Sequence, residues 1–256
     1  QHLGSQNGMA PIRLGVYLNS QIEVIVVNNG STDKTEVLIK QEAQKNPNII
    51  YAESKKGTSN ARNKGIEKAS AKWVTFLDAD DCLLNFDKAL KEMLISAEED
   101  LIICNYMVNE SKINLCSMTR KRSNRVSVIK QMLENPTKYM TVWGKFYKTN
   151  LIKNENVRFK NELVYSEDSE FLIRYILLCD QIRFTEKYIY HYVLSENSTV
   201  RKYNPQLIYE YEEAILQVKR DLNKFPEFEK SFKIFTLMQF NLMMVHNVFM
   251  KNKNAI

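Results

Sequence analysis

Two hydrophobic periods alternate along the first two-thirds of this chain. Glu23 to Val27, Ile49 to Glu53, Trp73 to Leu77 and Leu101 to Tyr106 are short apolar runs rich in β-branched and aromatic residues, which predicts buried strands. Thr35 to Lys45, Ser59 to Ser70 and Phe86 to Ala97 read as helices, with Ala61, Ile66 and Ala69 on one side of the second. Ser31, Thr32 and Asp33 stand where the first helix needs a cap. Strands alternating with helices of this length predict an α/β domain built on a mostly parallel sheet. In such sheets ligands sit beyond the carboxyl ends of the strands. Asn28-Asn29-Gly30 and Asp78-Ala79-Asp80 both fall at such ends.

One segment breaks the alternation. Pro11 to Leu18 reads as a first strand, yet Glu23 opens the next almost at once, and parallel neighbours need a crossover of about a dozen residues. Either the two strands pair as an antiparallel hairpin or a helix is missing near 19–21; the missing helix is the preferred expectation. Gln1 to Gly8, ahead of Met9, reads as an expression remnant. After Lys145 the pattern changes. Leu163 to Asp168 leads into a helix over Glu170 to Cys179, and Ile182 to Phe184 and Tyr188 to Tyr192 are two short strands. Leu207 to Phe225 and Phe228 to Lys251 are helices. Phe232, Phe235, Met238, Leu242, Val245 and Phe249 form a stripe on the last one. Packing against the body is its expected role; Met243, Met244, Met250 and Lys251 to Lys253 also suit an interfacial helix. The expected organisation is an α/β domain over 9–200 and a helical region over 201–256.

Composition narrows this only in part. With 256 residues, 44% of them hydrophobic, the chain can bury one large core plus a small appendage. A net charge of +6 fits an anionic ligand or an anionic membrane surface. Nucleic acid is not an expected partner, because the basic residues are not interleaved with aromatics in a recognition pattern. Cys82, Cys104, Cys116 and Cys179 form no C-x-x-C pair and no zinc spacing, so a reduced, cytoplasmic compartment is expected. No apolar run is long enough to span a membrane.

The strongest chemical signal is Asp78-Ala79-Asp80-Asp81. Like charges this close repel and raise one another's pKa values. A divalent cation carrying a phosphorylated ligand relieves that cost, since Mg²⁺ is usually held by one or two carboxylates plus phosphate. The plainer alternative is a solvated turn, or a cap for the helix expected after Asn85.

Three further stretches complete a pattern: Ile25-Val26-Val27-Asn28-Asn29-Gly30-Ser31-Thr32-Asp33, Gly57-Thr58-Ser59-Asn60-Ala61-Arg62-Asn63-Lys64-Gly65, and Glu167-Asp168 at a helix start. With the acidic run, in this order and spacing, the chain resembles the family 2 inverting glycosyltransferases of the GT-A fold over Ile22 to Val200. The resemblance implies a Rossmann-like, mostly parallel central sheet flanked by helices, here with a C-terminal helical extension. It implies metal-dependent transfer of a sugar from a nucleotide-sugar donor, UDP-linked by expectation, to a bacterial surface glycan such as a capsule, exopolysaccharide, lipopolysaccharide or glycoprotein. Asn28, Asn29, Arg62 and Asp78 would hold the nucleotide, Asp80 with Asp78 would ligate Mn²⁺ or Mg²⁺, and Asp168 would be the catalytic base. The family usually has Asp where this chain has Asn29, which leaves the nucleobase open. Glu167, Trp143 and Lys145 are the candidate acceptor contacts, with a core Trp and a surface Lys as the plain alternative. His191 is expected to be a packed strand residue, with a further metal ligand as the alternative. Peripheral contact with the inner face of the cell membrane and pairing of copies through the C-terminal helices are further expectations. A sugar-nucleotide-forming nucleotidyltransferase would carry a Gly-rich phosphate loop after the first strand, which Pro11 to Ser20 lacks. An inactive nucleotide- or glycan-binding module is disfavoured by the retained Asp78, Asp80 and Asp168.

Overall fold

The computed structural model describes residues 22–84, 93–94, 97–116, 122–163, 166–194 and 207–245. The strand expected over 11–18, the segment near 19–21, most of the helix expected over 86–97 and everything after 245 lie outside the described residues. Strand β1 (Val24–Asn28) pairs in parallel with β2 (Ile49–Glu53), in a register running from Val24 opposite Ile49 to Asn28 opposite Glu53. Helix α1 (Thr35–Lys45) connects them, and just before it Asp33 forms a local turn by accepting the Thr35 N–H at 2.9 Å. Helix α2 (Thr58–Lys68) begins after Gly57, whose φ of 126° is a conformation that residues with a Cβ rarely adopt.

The larger sheet runs β3 (Trp73–Val74), β8 (Lys145–Lys148), β5 (Leu101–Val108), β9 (Ile182–Tyr192), β4 (Cys82–Leu83). Two short strands, β6 (Ser111–Ile113) and β7 (Arg122–Ser123), pair with β5 and β9. The two longest registers, β1 with β2 and β5 with β9, are parallel, and the remaining pairs are antiparallel. The tight connection at Asn109-Glu110 permits only antiparallel pairing of β5 with β6. Residues 101–106 of β5 are buried without interruption, as a strand covered on both faces should be.

Two elements differ from the sequence pattern for visible reasons. The apolar run at Trp73 to Leu77 leaves the sheet after Val74, because Phe76 turns into the core. There it meets Tyr147, Phe159 and Phe171 edge-on at 5.4 to 6.0 Å, while Leu77 is 47% exposed. The two short strands expected at 182–184 and 188–192 are one strand with an irregular register. Cys104 faces Thr185, Asn105 faces Tyr188 and Tyr106 faces Tyr190, so extra residues bulge out of β9. The Asn105 amide fills the irregularity: it donates to Glu186 O and accepts from Leu115 N–H.

Helices cover the sheet. They are α3 (Arg125–Glu134), α4 (Pro136–Tyr139), α5 (Thr149–Asn154), α6 (Glu167–Leu177), α7 (Leu207–Leu222) and α8 (Glu229–Met244). Phe159 stacks on Phe171 of α6 at 4.0 Å. Val218, Leu222, Phe228 and Phe235 join the same core as the sheet, so the C-terminal helices pack on the body. The line that α8 buries is Ser231, Phe235 and Gln239 rather than the whole expected stripe, and Ser231 Oγ donates to Glu134 of α3 at 2.6 Å on that line. Leu237, Phe240 and Val245 are left exposed. Among the described residues no helix is long and apolar enough to cross a membrane.

Candidate active site

Arg62 is the centre of the site. Helix α2 carries it inward, where 11% of its side chain is exposed. Its guanidinium lies over the Phe159 ring at 5.3 Å. Nη1 donates to Glu167 at 2.9 Å and to Asp168 at 2.5 Å, and Nη2 donates to Asp78 at 3.3 Å. One planar fork therefore joins the Asp78 carboxylate, in the turn beyond β3, to the two acids that open α6, a task that suits guanidinium better than ammonium. Burial works against the charged guanidinium, yet Asp168, Asp78 and Glu167 hold its pKa above the ordinary value. Next to it, Asn63 staples α2 to the Phe159 backbone, donating to the carbonyl and accepting from the N–H, both at 2.8 Å.

Glu167 and Asp168 sit in the first turn of α6, where acids are favoured by the helix dipole. Ser166 before them has a left-handed backbone, φ 58°. Burial pushes the pKa of both carboxyls up, and Arg62 pulls both down. Asp168 keeps 21% of its side chain exposed. Its second oxygen accepts the Val142 N–H at 3.1 Å.

The acidic turn is built from an unexpected direction. Asp81, which the sequence suggested as a helix cap, is 5% exposed. It accepts the Tyr190 hydroxyl at 2.5 Å and the Val193 N–H at 2.8 Å. Burial raises its pKa to about 6, against the pull of those two donors. The same Tyr190 oxygen accepts the Asp78 N–H at 3.3 Å, so one phenol ties both ends of the turn. Asp80 remains on the exposed side of that turn. Among the described residues no three His, Cys, Asp or Glu side chains gather closely enough to hold an ion by themselves. Asp78 and Asp80 still fit a hard cation, because they offer oxygen donors at an accessible turn and phosphate supplies further ligands.

The other candidates are placed as follows. Asn28 closes β1 and accepts the Ser31 N–H at 3.1 Å, forming the turn itself. Asn29 accepts the Ser54 hydroxyl at 3.5 Å, beside the end of β2. Trp143 is 7% exposed, stacked on Tyr190 at 4.4 Å and Tyr192 at 5.7 Å. Lys145, the expected surface or acceptor lysine, is 1% exposed and donates to Thr141 O at 2.5 Å. Burial lowers its pKa to about 7. As placed, Trp143 packs on the phenol that holds the acidic turn, and Lys145 bonds the loop in front of Asp168. His191 lies opposite Cys82 in the β4–β9 pair, and alternation turns it away from Tyr190 and Tyr192. Its Nε2 is buried and finds no hydrogen-bond partner among the described residues. Sequence reasoning missed Tyr190 and Asn63, whose partners lie far away along the chain.

Asp78 and the exposed Asp80 of the acidic turn thus lie on one side of Arg62, and Glu167 and Asp168 at the start of α6 lie on the other. A model of Glycosyl transferase family 2 matches residues 16–162, and the chain belongs to that family of glycosyltransferases. EpsH of Bacillus subtilis is 27% identical in an alignment that covers 88% of this chain and 68% of that protein. The poly(ribitol-phosphate) beta-N-acetylglucosaminyltransferase TarP of Staphylococcus aureus is 24% identical in an alignment that covers 84% of this chain and 67% of that protein. The structure of S. aureus TarS 1–349 in complex with UDP-GlcNAc superposes with a TM-score of 0.70 at 18% identity, covering 91% of this chain and 66% of that one. The chain thus spans about two thirds of the length of each of these proteins.

Proposed function

We propose that this chain transfers a sugar from a nucleotide-sugar donor, UDP-linked by preference, to a growing bacterial surface polymer, with inversion at the anomeric carbon. The observation that carries the proposal is the arrangement of Asp168: partly exposed, fixed by Arg62 and the Val142 N–H, and joined through Arg62 to Asp78 at the donor end. A carboxylate has about four lone-pair positions, so two hydrogen bonds leave capacity for an acceptor hydroxyl. Asp168 takes the hydroxyl proton while the acceptor oxygen forms its bond to the anomeric carbon. The bond from that carbon to the phosphate oxygen breaks, and its electron pair leaves with the nucleoside diphosphate. A carboxyl pushed upward by burial is a stronger base near neutral pH than a solvated one. Asn28 and Asn29 bound the nucleobase end, and Glu167 shares the charge of Arg62. Asp78 and Asp80 would hold Mn²⁺ or Mg²⁺, which supplies charge neutralisation at the departing diphosphate. TarS with UDP-GlcNAc supports a UDP-linked donor, and the activity in TarP's name supports a surface-polymer acceptor.

The test is Asp168→Asn in a transfer assay with a panel of UDP-sugars. The variant should lose transfer by about 10²-fold or more, the scale of general base catalysis, while calorimetric UDP affinity with Mn²⁺ stays within about twofold. Product NMR should show the anomeric configuration opposite to the donor's. Turnover retained by the variant, or retention of configuration, overturns the assignment. Absence of metal-dependent UDP binding in the unmodified protein favours an inactive module.

A further inference from the structure

Lys145 and Tyr147 are two residues apart on β8, so their side chains leave the same face of the strand. Both are buried to within 1% of complete exclusion from solvent. Both spend their polar atoms on the loop that precedes the strand. Lys145 Nζ donates to Thr141 O at 2.5 Å and to Thr141 Oγ1 at 3.3 Å. Tyr147 donates its hydroxyl to Val142 O at 2.8 Å. The far end of the loop is pinned by Cys104 N–H, which donates to Gly144 O at 3.0 Å, and the turn uses Gly144 at φ 69°. Held at Thr141, Val142 and Gly144, the loop aims the Val142 N–H at Asp168 Oδ2. The Tyr147 ring also packs edge-on against Phe171 and Tyr175 of α6, the helix that carries Asp168.

A buried lysine amine is costly to desolvate, and its use on a main-chain carbonyl calls for a reason. We infer that Lys145 and Tyr147 are positioning residues for sugar transfer: they fix the 141–144 loop so that Val142 N–H orients the Asp168 carboxylate toward the acceptor hydroxyl. The inference rests on Asp168 being the base. Neither side chain would touch donor or acceptor.

Tyr147→Phe keeps the ring and removes only the hydroxyl, and Lys145→Met keeps most of the volume. The expected result for each is a fall in kcat of about 10- to 100-fold, as small misplacements at a reacting centre produce. The donor KM and the UDP affinity should stay within about twofold of wild type. If Lys145→Met does not fold, Tyr147→Phe decides alone. The inference is overturned if Asp168→Asn is inactive while the folded variants keep kcat within about twofold of wild type. It is also overturned if kcat and UDP affinity fall together, which a merely structural role would give. Turnover by Asp168→Asn rejects instead the base assignment beneath it.

Discussion

Replacing Arg62 by Met should expose how much of this fold depends on one guanidinium. The side chain is 11% exposed, and its partners Glu167, Asp168 and Asp78 are 13%, 21% and 35% exposed. Removing one member of a buried ionic group costs roughly 3 to 5 kcal/mol, because the partners stay buried without compensation. Asp78 is accessible enough for solvent to screen it, so the lower end, about 3 kcal/mol, is the better expectation. For a chain of this size that corresponds to a fall in Tm of roughly 6 to 12 °C. The pH dependence separates this cause from lost packing. Burial already raises the pKa of Glu167 and Asp168, and Arg62 opposes the rise. Without Arg62 the folded variant binds protons more readily than its unfolded chain at pH values above the ordinary carboxylate range. Its stability therefore falls as pH rises, and it recovers as the pH drops toward that range. Urea unfolding of both proteins from pH 5 to pH 8 should show a gap that is widest at pH 8 and narrows steadily below it. A gap that is constant with pH, or smaller than about 1 kcal/mol, would refute the view that Arg62 is an electrostatic clamp.

Two further outcomes follow from the acidic turn. Tyr190→Phe removes the hydroxyl shared by Asp81 and Asp78 N–H; it should cost about 1 to 3 kcal/mol and weaken Mn²⁺-dependent UDP binding in calorimetry, and unchanged stability and binding together would reject the phenol as its support. Asp81 has a folded pKa of about 6 against an ordinary 3.8, so the folded state binds the extra proton and stability contributed below pH 4 is lost as pH rises to 6. Asp81→Asn should gain on wild type across that window by at most about 3 kcal/mol in urea melts, and parallel curves would show that the carboxyl is not the cause.

The order β1, α1, β2, α2, β3 from Val24 to Val74 was legible because each of these elements has its own period and its own stop signal. Asp33 turns the chain into α1 by accepting the Thr35 N–H two residues on, and the alternation after it needs no distant partner. The Asp78 turn, Arg62 and Glu167-Asp168 were legible as candidates because the motifs that hold them occur in the order and spacing of the family pattern. What each side chain touches was not. The sequence presents Arg62 as a nucleotide contact; in the fold it is occupied by three carboxylates from two other elements.

Local pattern therefore determined which residues could become strand, helix or site, since propensity and periodicity act over a few neighbours. Tertiary structure decided that Lys145 turns inward, that Trp143 stacks beneath Tyr190 and that Asp81 answers a phenol 109 positions away. It also merged two apparent strands into one irregular β9. These outcomes depend on which surfaces meet when the chain closes. Burial, pairing and the cost of an unsatisfied polar group are set by that meeting, and no window of neighbouring residues contains it.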